Sequence, residues 1–75
     1  MKWYELRPAT IDFLRASADL LIRGEPFPRV VAAKWLASRS EVQRLAYRVC
    51  VSVGGERTEI QLLEAAARLE EESWP

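Results

Sequence analysis

Residues 39–51 read RSEVQRLAYRVCV, and they gather the side chains of this chain best suited to holding an anion. Arg44, Tyr47 and Arg48 recur at i, i+3 and i+4, with Gln43 at their margin and Arg39 just ahead of them. On a helix these positions share one side. Arginine recognises phosphate or guanine through its planar fork, glutamine pairs with adenine, and a tyrosine hydroxyl reaches phosphate. Arg29, ten residues before Arg39, offers a further phosphate contact. The chemistry implied is recognition rather than catalysis. The sequence has no histidine, the most common general acid–base residue, and a single cysteine, Cys50, with no activating partner. Its carboxylates lie in charge ladders or in a Glu-rich C-terminal stretch, so no isolated pair suggests a tuned acid and base. We therefore expect no enzyme, no cofactor and no metal site. VGGER lacks the lysine and spacing of a phosphate-binding loop. The glutamates of LEEESWP point in different directions on a helix and read as a solvated face.

A helix–turn–helix-like pair is what must position those groups. The spacing predicts an all-α fold of four short helices, at about 8–23, 28–37, 40–53 and 58–72, in one domain spanning 1–75 with an N-terminal arm at 1–7. Pro8 suits a first helical turn and Gly24 a helix end. Asp12, Arg15, Asp19 and Arg23 form a ladder of alternating charge. Pro26 and Pro28 make a turn, and Pro28 can open the second helix. Either Ser40 with Gln43 or Ser38 with Glu41 can box the start of the third helix. That helix has an apolar seam of Val42, Leu45, Ala46, Val49 and Val53, and VCVSV continues the seam rather than starting a strand. Gly54-Gly55 ends it, and Thr58 with Gln61 suggests a capping box for the fourth.

The first and fourth helices are each apolar on two sides. The first carries Ile11, Leu14, Ala18, Leu21 and Ile22 on one face and Ala9, Phe13, Ala16 and Leu20 on another, which suggests a central position. The fourth has an Ile60, Leu63, Ala67 stripe and a second group, Leu62, Ala65, Ala66 and Leu69. We expect Leu14, Ala18, Leu21, Leu45, Val49, Leu63 and Ala67 in the core. Seventy-five residues offer little interior, so the remaining apolar area points to an interface. Leu62, Ala65, Ala66 and Leu69 are the candidate homodimer contacts.

Charge is balanced overall, with eleven bases and eleven acids, but unevenly placed. Residues 1–55 hold nine Lys or Arg against five Asp or Glu, and residues 56–75 hold two against six. This suggests a basic body with an acidic last helix, whose glutamates also serve solubility. The expected partner of the basic third helix is DNA or RNA, bound by a dimer. Nine of the eleven bases are arginine and asparagine is absent, a bias compatible with a thermophile or a GC-rich genome. No apolar run is long enough to span a bilayer, MKWYELRP lacks the apolar region of a signal peptide, and a lone cysteine fits a reducing cytoplasm. The alternative to nucleic-acid binding is a non-enzymatic interaction or assembly module. It would use the apolar flanks of the first and fourth helices to hold a larger protein.

LLIRGEPFPRVVAAKWL followed by SEVQRLAYR, Leu20 to Arg48, resembles an uncharacterised archaeal helical family. In that family a leucine-rich helix enters an Arg-Gly-x-Pro turn, then an apolar helix, then a basic helix ending in Tyr-Arg. The resemblance implies an all-helical fold and carries no assigned activity.

Overall fold

In the computed structural model, which describes residues 2–24 and 31–71, the chain forms four helices. These are α1 (Trp3–Ile22), α2 (Val31–Ala37), α3 (Glu41–Val53) and α4 (Thr58–Glu70), and no strand occurs among the described residues. The radius of gyration is 11.4 Å, which is about that of a compact chain of this length.

α1 starts five residues earlier than Pro8 suggests, so residues 3–7 are helix rather than an arm. Proline lacks the N–H that would bond to Tyr4, which removes one intrahelical hydrogen bond. Tyr4 is exposed, leaving its carbonyl near water, while the extra turn lets Leu6 pack against the core. Burial of that side chain offsets the missing bond. The buried side of α1 comprises Thr10, Ile11, Leu14, Ser17 and Ala18. Its two hydroxyls are satisfied within the helix: Thr10 Oγ1 donates to the Leu6 carbonyl at 2.7 Å and Ser17 Oγ to that of Phe13 at 2.9 Å. Leu21 packs on the core from its edge, whereas Ile22 is exposed. The helix ends at Gly24, whose φ of 80° is a left-handed conformation that costs glycine little. Of the expected charge ladder, Arg15 turns instead to Glu70 of α4, at 2.6 Å.

α1 packs most extensively along α4 and also meets α3, while α3 touches all three other helices. By extent of packing α1 is the central element, as its broad apolar circumference suggests. α2 approaches the backbone of α3 but not that of α1. Its link to α1 is an edge-on aromatic contact of Trp35 with Phe13, ring centres 4.9 Å apart. Pro26 and Pro28 lie outside the described residues, as does the expected start of the second helix.

On α4 the two apolar groups exchange the parts expected of them. Leu62, Ala65, Ala66 and Leu69 are buried inside the chain's own core, at 0–2% exposure, so they cannot be a surface for a second copy. Leu63 and Ala67, expected in the core, are exposed together with Ile60. Size explains the choice. α1 offers small buried side chains at Thr10, Ser17 and Ala18, and neighbouring alanines at 65 and 66 let two helix backbones come close. The cap of α4 also differs from expectation. Arg57, not Thr58, is the N-cap residue and makes no side-chain capping bond. Gln61 donates instead from its amide to the Cys50 carbonyl, tying α4 to α3.

Candidate nucleic-acid interface

α3 follows α2 after a three-residue turn, Ser38-Arg39-Ser40, as a helix–turn–helix-like pair requires. Both serines shape the entry. Ser38 Oγ accepts from the Ser40 backbone N–H at 3.0 Å, and Ser40, the N-cap, accepts from the Gln43 N–H at 3.4 Å. Fixing that first turn fixes the rotation of the helix. Leu45, Ala46, Val49 and Cys50 face inward, and the side opposite carries Arg44, Arg48 and Val51.

Arg48 and Arg39 are exposed, and Val51 beside Arg48 is 59% exposed. Arg44 is half-buried, with its Nε out of contact with solvent and without a hydrogen-bond partner. Tyr47, expected to face solvent, is also half-buried and packs against the core. Its ring serves as an edge of the interior before it can serve a ligand. Gln43 is half-buried at the first turn. Arg29 lies outside the described residues. The structure thus brings Arg44 and Arg48 to one side of α3, with Arg39 exposed in the turn before them. It withdraws Tyr47 and part of Arg44.

None of Arg39, Arg44 and Arg48 forms an ion pair with a described residue. The ion pairs that do occur among described residues hold other arginines: Arg15 with Glu70, and Arg57 with Glu59 at 2.7 Å. Two side-chain bonds tie α4 to α3. Both fall at the C-terminal end of α3, where Gln61 meets Cys50 and Arg68 donates to Ser52 Oγ at 3.4 Å. Arg44 and Arg48 precede both contacts in the helix. Lys34, in the last turn of α2, is exposed and adds a cation ahead of the turn. In the sequence it reads only as an interruption of an otherwise apolar helix.

Burial pushes the Cys50 thiol up to about 11, so at neutral pH it is a protonated small hydrophobe. Among the described residues no cluster of His, Cys, Asp or Glu could hold a metal ion, and no helix is long and apolar enough to cross a membrane. No family model, no curated protein and no solved structure matches the chain.

Proposed function

We propose that the protein binds nucleic acid through Arg39, Arg44 and Arg48, with α3 lying against the phosphate backbone. The observation that carries this reading is three arginines that form no ion pair with a described residue. The chain contains as many acids as bases, and its described ion pairs engage Arg15 and Arg57 instead. Guanidinium groups with no ion pair to a described residue, on consecutive turns with Arg44 and Arg48 about 6 Å apart along the axis, offer forked donors to phosphate oxygens. Binding then releases condensed counterions, which supplies most of the free energy and makes affinity depend on salt. Tyr47 and Gln43 are only half exposed. The surface therefore suits backbone contacts, which position a protein, better than base contacts, which specify a sequence.

Fluorescence anisotropy with labelled random-sequence duplex and single-stranded oligonucleotides, at low salt, is the test. Three phosphate contacts to duplex give a slope of log K on log salt of about −3, and Arg48→Ala reduces it by about one. Binding that ignores salt, or no binding at low salt, sinks the proposal.

A further inference from the structure

α4 is apolar on two sides, and the fold uses one. Ile60, Leu63 and Ala67, spaced i, i+3 and i+7, form an exposed strip along its outer side, with Ile60 45% and Leu63 42% exposed. The two flanks of this strip differ in charge. On one, Glu59 and Glu70 are neutralised by Arg57 and Arg15. On the other, Glu64 and Glu71 each follow a strip residue by four positions, Ile60 and Ala67 respectively, and neither has an ion pair with a described residue. The outer side of α4 is thus an aliphatic strip edged by two carboxylates that form no ion pair with a described residue. Arg68, one turn from each, reaches toward Ser52 of α3.

We infer that this strip docks a basic amphipathic helix of another protein. Aliphatic side chains of the partner cover Ile60, Leu63 and Ala67. Two of its Lys or Arg side chains, two helical turns apart, meet Glu64 and Glu71, which are separated by about 10 Å along the axis. Charge selects this occupant over a second copy of the chain. Pairing two strips about a two-fold axis at their midpoint, near Leu63, sets Glu64 against its own equivalent, and like charges so placed repel. A helix that brings its own cations removes the repulsion and adds electrostatic attraction in its place. The strip is distinct from the arginines of α3, so the inference does not depend on nucleic-acid binding.

The test titrates the full chain into a labelled synthetic Leu/Lys amphipathic helix and into its Leu/Glu counterpart, following anisotropy. The Lys peptide binds and the Glu peptide does not. Leu63→Asp weakens binding about tenfold, the scale of a lost interface anchor. Glu64→Lys with Glu71→Lys does so as well. That pair leaves the apolar strip intact and, being at the surface, leaves the thermal melt unchanged. Asp12→Lys with Asp19→Lys, an equal charge change on exposed positions of α1, leaves binding unchanged. Equal affinity for both peptides, no binding of either, or an equal loss from the α1 pair overturns the inference. So does sedimentation equilibrium showing a dimer that Leu63→Asp dissolves, which gives the strip to a second copy.

Discussion

α3 and α4 are each thirteen residues long, yet α3 has one apolar side and α4 has two. In α3 the division between inside and outside follows polarity, with Val51 as the apolar exception on the outer side. Leu45, Ala46, Val49 and Cys50 go in, and Arg48 stays out. In α4 polarity decides nothing, because Ile60 and Leu63 are as apolar as Leu62 and Leu69. Shape decides. The buried side contains adjacent alanines, and the helix it packs against supplies small residues of its own. Hydrophobic burial is nearly indifferent to which aliphatic group is covered, but dispersion contacts depend on how closely two backbones approach.

The largest effects should come from setting the two sides of α4 against each other. Leu69→Ala opens a cavity in a fully buried site and should cost about 2–5 kcal/mol in urea denaturation. Leu63→Ala, on the outer strip, should stay within about 1 kcal/mol. Equal losses would mean that the outer strip is covered in solution. A smaller effect tests shape directly. Ala66→Leu inserts bulk into the α1–α4 contact and should cost about 1–3 kcal/mol. Ala67→Leu, one position along and exposed, should be nearly neutral. If both are tolerated, close approach of the two backbones does not select the buried side.

This contrast also explains what the sequence discloses. The four helices, the three-residue turn, Gly24 as a stop and the seam of α3 are all readable, because each is a local pattern: a cap, a glycine, a single apolar stripe. The inward side of α4 is not, since a helix with two apolar stripes needs its neighbour before either can be ranked. Pro8 misleads for a related reason. Its local preference is a first turn, and the burial of Leu6 that offsets its missing hydrogen bond is a tertiary contact. At the candidate interface the arginine spacing is legible, and so is their common side. The half-burial of Arg44 and Tyr47 is not, because both lie at the edge of the seam, where packing against other elements sets exposure. Ser38 and Ser40 compete as caps in the sequence, and both oxygens are used.

The helix starts offer a subtler comparison. α3 opens on a hydroxyl that accepts the Gln43 N–H, so Ser40→Ala should lower stability by about 1 kcal/mol. Thr58→Ala should change little, since Thr58 is already the first helical residue and α4 has no side-chain cap. A larger loss at Thr58 than at Ser40 would reverse this assignment.

The smallest effect concerns the group that stands at the start of α4 in place of a cap. The Glu59 carboxyl is held below its ordinary value of 4.5, first by accepting its own backbone N–H and then by the hydrogen bond from Arg57. A carboxylate in the first turn also faces the positive end of the helix dipole. Because the folded state lowers this pKa, the unfolded chain binds the proton more readily, and stability falls as the solution becomes acidic. The contribution is complete above about pH 4.5 and is lost as pH drops through the folded value. Glu59→Gln should therefore be less stable than the parent chain by a constant amount at neutral and mildly acidic pH. The gap should close below the ordinary carboxylate range. Denaturation of the two chains across that range, or a carboxyl titration of Glu59 followed by NMR, measures it. A gap that persists into strong acid would assign the difference to side-chain packing instead. A gap that is absent at neutral pH would mean that α4 begins without help from Glu59, and that its start is set by the α1 and α3 surfaces it packs on.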